Sequence, residues 1–260
     1  MRIRITSLIS ALIVGLCLFT PLAWSQNDQM RISAEADFRI SGTTFADHEI
    51  AGTDLSGNWS NQLAAMTSLL PSQVGIDALD ITSETEVYLS LDVDTQIGGT
   101  LYANEDVLRW DGVGLTMTWD GTANGLPTRA NLSALHVISD SPWEMAFSLS
   151  ATTQLSGLGL VRPSDAVHYV EGSGFVGFFF QGQSAGLPAG VKVDMFQIWT
   201  ADHYLISFDC AVRPTGHVTT YRSADILSWD PDSGTLSASP FFSADAQSLP
   251  ARIDINAAVA

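Results

Sequence analysis

Four aspartates recur along this chain at nearly constant spacing. Asp47, Asp106, Asp165 and Asp225 stand 59, 59 and 60 residues apart. Each opens a short segment of similar pattern. Asp106-Val-Leu-Arg-Trp-Asp111 and Asp225-Ile-Leu-Ser-Trp-Asp230 form the cleanest pair, with Asp165-Ala-Val-His-Tyr169 between them. A long period repeated four times means one supersecondary unit copied along the chain, each copy burying its apolar face against the next. This constrains the architecture more than any local propensity does, and it names no ligand or reaction.

Leu-Pro pairs supply a second anchor with the same period: Leu70-Pro71, Leu126-Pro127, Leu187-Pro188 and Leu249-Pro250. A few residues after each comes an alternating segment: Ile76 to Ile81, Leu132 to Val137, Val193 to Ile198 and Ile253 to Asn256. Alternation of apolar and polar residues predicts a half-buried strand. A second strand is expected over Val87–Asp92, Met145–Ser150 and Tyr204–Asp209. The aspartate-led segment is the third, with Leu108 and Trp110, Val167 and Tyr169, or Leu227 and Trp229 sharing a face. Leu115–Trp119 and Val176–Phe180 represent the fourth. Gly, Asn, Asp and Pro clusters separate these segments as turns. Helical periodicity is confined to a weak run between Gln62 and Leu70.

Four-stranded units repeated radially make a β-propeller. The chain has room for four units. A linear stack would leave bare sheet edges and need caps, whereas a closed ring has neither problem. The chain ends fit closure. Arg252 to Val259 supplies only a first strand, and the segment Phe38 to Ser41 reads as a second strand. The fold expected is therefore all-β, a four-bladed propeller of about 59-residue repeats, its last blade completed by both termini. In the divergent first repeat, Glu49 and Ala51 align with Leu108 and Trp110.

Residues 1–25 read as a secretory signal peptide. Arg2 and Arg4 give the positive start, Leu8 to Phe19 the apolar run, and Ala23-Trp-Ser25 the small-x-small cleavage site. The apolar run is too short to span a bilayer. Residues 26–260 are then one exported domain, periplasmic or extracellular, with no membrane span, expected to be a monomer. Cys210 remains as its only cysteine, so no internal disulfide can form. It is expected to be a small buried hydrophobe. Without Arg2 and Arg4 the chain carries nine basic against 28 acidic side chains, a net −19. That excludes nucleic acid and anionic membrane as natural partners.

Each chemical motif competes with a plainer reading. Gly182-Gln-Ser184-Ala-Gly186 matches a nucleophile elbow, which needs a helix after it. Leu187-Pro188-Ala-Gly190 follows instead, and the repeat aligns Ser184 with Ala123 and Ala246. His48, His136, His168, His203 and His217 are scattered and form no helix-borne ligand pair. The period-marking aspartates read first as turn formers bonding backbone N–H groups. A second set, Asp77, Ser133, Asp194 and Asp254, follows the Leu-Pro anchors. Oxygen donors repeated around an axis suit a hard cation, and calcium is the expected cofactor if one is present. Trp110, Tyr169 and Trp229 read as core between blades.

Ile76-Asp77-Ala78-Leu79 resembles the I-D-A-[AV]-[FL] first-strand signature of hemopexin-like domains, which are four-bladed propellers. Val193-Asp194 and Ile253-Asp254 match it in part, and Leu132-Ser133-Ala134 keeps the alanine. Gly125-Leu-Pro127 and Gly186-Leu-Pro188 are similar to the G-[LIF]-P link. Leu108-Arg-Trp-Asp111 looks like a shuffled Y-W-R-Y third strand. The resemblance implies a central channel lined near Asp77, Ser133, Asp194 and Asp254 that holds ions. The disulfide of that family cannot form here, heme and matrix sites find no matching residues, and the loop Val93 to Glu105 is longer.

Two functions follow. The first is a binding or structural module for a glycan or protein ligand. The second is a secreted glycan-active hydrolase or lyase with Asp92, Asp94 or Asp209 at one mouth of the ring. Facing carboxylates about 5–10 Å apart in a cleft would mark the second.

Overall fold

The computed structural model describes residues 30–259, with the side chains of Asn256 onward excepted. The signal-peptide reading of residues 1–25 lies outside the described residues. The strands form four antiparallel four-stranded sheets, each a blade. Blade II is Ile76–Ser83, Glu86–Leu91, Val107–Trp110 and Leu115–Trp119. Blade III is Leu132–Asp140, Trp143–Leu149, Asp165–Val170 and Gly174–Gln181. Blade IV is Val193–Thr200, His203–Phe208, Leu227–Asp230 and the two-residue Thr235–Leu236. Except for Thr235–Leu236, these strands cover the segments that the sequence pattern marks out.

Blade I is made by both ends of the chain. Ile255–Val259 is its innermost strand, paired with Met30–Ala34, which pairs in turn with Ile50–Thr53 and then Trp59–Gln62. Closure by the termini is as expected, but the second strand lies at Met30–Ala34 rather than at Phe38–Ser41. Phe38–Ile40 pairs with Thr43–Phe45 as a separate two-stranded ribbon. The same ribbon recurs at Thr95–Ile97 with Thr100–Tyr102, and at Thr153–Leu155 with Gly159–Val161. In blade IV it shrinks to a bridge between Val212 and Tyr221. The long loop between second and third strands is thus a ribbon repeated in every blade, with one face buried in the core through Phe45, Tyr102, Leu155, Val161 and Tyr221. The weak helical run is a single turn, Ala64–Thr67.

Inner strands of adjacent blades touch around the whole ring, and opposite ones approach across it. The core divides into four clusters, one at each blade interface. Blades I and II share Ile50, Met66, Leu79 and Leu108, and blades II and III share Ala78, Tyr88, Val137 and Phe147. Blades III and IV share Ala134, Ala146, Phe196 and Phe208. Blades IV and I share Met195, Ile226, Ile32 and Ala51, so the last interface is as apolar as the others. Small residues on one face receive large ones from the next, which lets the sheets approach closely. Trp110, Tyr169 and Trp229 are buried at these interfaces, and Trp229 meets Phe180 edge-on at 4.9 Å. Cys210 departs from expectation. The strand ends at Phe208, and Cys210 is exposed in the turn after it. Its thiol is nevertheless pushed up to about 11, by desolvation and then by Asp209, so it stays protonated at neutral pH.

Candidate functional site at the propeller axis

The period-marking carboxylates are tied up in structure. Asp106 accepts from the N–H groups of Ala103 at 2.9 Å and Gly121 at 3.1 Å. Asp165 accepts from Arg162 and Gly182, and Asp225 from Arg222 and Ala244. Each pins the turn before the third strand to the chain beyond the fourth strand, at Gly121, Gly182 or Ala244. Blade I uses Glu49, whose Oε2 accepts from Ala46 N–H at 2.8 Å and whose Oε1 accepts from the side-chain amide of Asn61 on the fourth strand. Asp47 is therefore two residues out of register with the other three, and Ala51 aligns with Leu108. Asp47 corresponds to Asn104: their N–H groups donate to Asp37 and Asp94, and their carbonyls accept from Ser33 and Ser90.

The second set lies at the axis, and its register also needs one correction. Ile76, Leu132, Val193 and Ile255 occupy equivalent places, opposite Leu91, Leu149, Phe208 and Ala34 of the second strands. Asp77, Ser133 and Asp194 follow at one ring position, and Asn256 stands fourth. Asp254 belongs one position before the inner strands, with Gly75, Asn131 and Lys192. A matching ladder confirms this: Asp92, Ser150, Asp209 and Glu35 donate their N–H groups to the carbonyls of Gly75, Asn131, Lys192 and Asp254. Counting from the anchors would have shown it, since each inner strand starts five residues after its proline.

The axial side chains form a charged cluster around one cation. Lys192 Nζ lies 2.7 Å from Asp194 Oδ1 as an ion pair. The Asp194 side chain is 1% exposed, and its Oδ2 meets no donor among the described residues. Asp77 accepts from Asn131 Nδ2 of the next blade, and Ser133 Oγ donates to Val193 O at 2.8 Å. Burial pushes the Asp194 carboxyl well above the usual range, against the pull of Lys192. Burial also raises Asp77, which Asn131 and Lys192 oppose. Asp254 is raised to about 7, by burial and then by Glu35. Burial disfavours the charge on Lys192, but Asp194, helped by Asp77 and Asp209, outweighs it and raises the ammonium above its ordinary value. The axis thus holds an ammonium inside a surplus of carboxylates.

The four residues singled out for a cation do not converge as four equivalent donors. One hydroxyl is spent on a carbonyl, one carboxylate is bridged by an amide, one is paired with Lys192, and Asp254 sits at another level. Among the described residues no group of three or more His, Cys, Asp or Glu is placed to hold a metal ion. Asp92, Asp94 and Asp209, the carboxylates of the hydrolase reading, each accept a backbone N–H, from Gly75, Asn104 and Lys192. Ser184 is an exposed turn residue in the link after blade III. His168 pairs with Glu144 at 2.7 Å and His136 lies beside Asp80, on different strands. Lys192 carries no motif. Only its place next to the inner-strand aspartate could have marked it.

No family model and no curated protein matches the chain. Among solved structures, the hemopexin fold protein CP4 from cow pea is 13% identical with a TM-score of 0.38, over 86% of this chain and 91% of that one. The extracellular domain of the putative one component system BT4673 from B. thetaiotaomicron is 13% identical with a TM-score of 0.33, over 80% of this chain. The chain spans 28% of that protein's length. The four-bladed architecture rests on the strand pairings described above. No helix among the described residues is long and apolar enough to cross a membrane.

Proposed function

We propose that the chain is an exported, non-catalytic binding module in which Lys192 serves as the resident cation of the axis. One observation supports this most: the residues that could do chemistry are consumed by the repeat. Three of the four period-marking carboxylates, and Glu49 in place of the fourth, hold turn amides. The axial carboxylates face an ammonium already built into the chain. What remains free to meet a ligand is the blade surface and the outward faces of the ribbons. A glycan or a protein is the ligand class proposed. Calcium is the competitor for the axis: it would draw on the oxygens near Asp77, Ser133, Asp194 and Asp254, and would have to displace Lys192 from Asp194 and regroup them. The second reading has one observation in its favour: Asp254 near 7 beside Glu35 and Asp209 is poised as a general acid would be.

A single panel separates them. The mature protein is screened against glycans and divalent metals for binding, and against polysaccharides for chain cleavage. Saturable glycan binding without cleavage is the expected result. Cleavage that disappears in Asp254→Asn would replace the module with the hydrolase. A rise in melting temperature with calcium, reversed by chelator, would show that Lys192 does not fill the axis.

A further inference from the structure

The four links between blades are built on one plan, and one of them lacks its filling. Each link carries a Leu-Pro pair and runs beside the turn that opens the third strand of the preceding blade. In blade II, Glu105 of that turn buries its carboxylate against the link. Oε1 accepts from Thr122 Oγ1 at 2.8 Å, Oε2 accepts from Arg129 N–H at 3.2 Å, and the residue is 2% exposed. In blade IV the place is closed by Arg222, which pairs with Asp245 and donates to Pro250 O at 2.7 Å. In blade I the wholly buried Met66 stands where Thr122 does.

Blade III has the frame without the plug. Ser164 replaces Glu105, Gln183 replaces Thr122 and Asp245, Arg162 stands where Arg222 does, and Gly190 where Arg129 does. Gly190 and Arg129 share a left-handed backbone, with φ of +89° and +70°. A cleft of about 500 Å3 opens here, lined by Arg162, Ser164, Gln183, Gly190 and the apolar Leu160 and Pro188. That volume suits a small ligand. No acidic residue lines it, in a chain with a net charge of −17. Among the described residues the Arg162 guanidinium has no ion pair and the Gly190 N–H no acceptor.

We propose that this cleft is a binding site for a small molecule carrying a carboxylate, seated where Glu105 places its own carboxylate in blade II. The donors match in kind: a backbone N–H at Gly190 for that of Arg129, and the Gln183 amide for the Thr122 hydroxyl. Arg162 adds a planar fork that meets a carboxylate with two parallel hydrogen bonds. Leu160 and Pro188 offer an apolar wall for the body of the ligand. The negative charge of the whole chain opposes an anion at long range. Salt near 0.15 M screens that repulsion beyond about 8 Å while leaving the close contacts. The proposal stands on other residues than the axial reading, and loss of either leaves the other untouched.

The test is an amide-shift titration of the mature protein in 0.15 M salt. Glucuronate and N-acetylglutamate are the carboxylate probes, and glucose is the neutral control. Both acids are expected to shift Gly190 and Gln183 saturably, and glucose to leave them still. The tighter acid tells whether an acidic sugar or an amino-acid carboxylate fits the apolar wall. Arg162→Gln should weaken binding about tenfold or more, the loss of a charge-assisted hydrogen bond. Ser164→Glu should abolish it by supplying the internal carboxylate. Arg162 is exposed, so its variant folds and decides the matter even if Ser164→Glu does not. No saturable shift with either acid, equal binding of glucose, or indifference to Arg162→Gln would overturn the proposal.

Discussion

Replacing Lys192 by Met tests what holds the axis together. Met fills most of the same space without the ammonium, so the change isolates charge. Asp194 then loses its partner at 2.7 Å while remaining 1% exposed. Removing one member of a buried pair costs about 3–5 kcal/mol, because the remaining charge is left uncompensated. The Lys192 side chain is 24% exposed and solvent relieves part of this, so about 3 kcal/mol is expected at pH 8. For a domain of this size that is a fall of roughly 6–12 °C in Tm. The loss must depend on pH. Asp194 already has a raised pKa, and without Lys192 it rises further. Protonation neutralises the orphaned charge, so the deficit should shrink toward zero near pH 4.5. Urea unfolding of both proteins at pH 4.5 and pH 8 measures it. A variant within about 1 kcal/mol of the parent at pH 8, or an equal deficit at both pH values, would refute the buried-pair argument.

Two further outcomes follow from the same geometry. Asp77, Asp92, Asp106, Asp194 and Asp254 all titrate above their unfolded value in the folded chain. The folded state therefore holds more protons between about pH 4 and 7, and stability should fall as pH rises through that window, by about 1.4 kcal/mol per pH unit for each excess proton. Asp254→Asn should flatten the upper part of this slope and raise stability at pH 8. An unchanged slope in a pH series of urea melts would contradict the assignment of about 7 to Asp254. Asp165→Ala leaves the part-buried N–H of Arg162 without an acceptor, while Gly182 N–H keeps Ser164 O, at a cost of about 1–3 kcal/mol in the same assay. A loss under about 1 kcal/mol would mean that water replaces the carboxylate.

The ring and most of its strands were legible because the repeat and the alternation of side chains act together. Ile76, Leu132 and Val193 begin their strands five residues after a proline, and these inner strands then give core residues from both faces, as Ala78 and Leu79 do. Errors fell where the repeat diverges. Asp47 falls into the 59-residue rhythm by coincidence, while Glu49, one methylene longer, makes the actual hydrogen bond. Ile253-Asp254 copies the dipeptide Ile76-Asp77 and so conceals a two-residue offset. Phe38–Ile40 has the pattern of a blade strand but pairs with its own ribbon, since pairing partners are a property of the closed ring. The axial site was legible only as a row of oxygens. Lys192 was invisible because its partner Asp194 is two residues away along a strand, where nothing in the pattern announces a pair. The blade III cleft was equally hidden, since it arises from a side chain that the repeat predicts and Ser164 lacks.

The central claim is that both chain ends complete one blade, and native-state hydrogen exchange tests it directly. Ile255–Val259 pairs with Met30–Ala34 and faces the inner strands of blades II and IV. Those of its amides that bond to Met30–Ala34 should open only with the whole domain. Their exchange free energy should therefore equal that of Val87, Phe147 and Ile206 in the second strands of the other blades, and respond to urea with the global slope. Paired amides at residues 255–259 that exchange several kcal/mol more easily, with little dependence on urea, would show an unlatched terminus and contradict the closed ring.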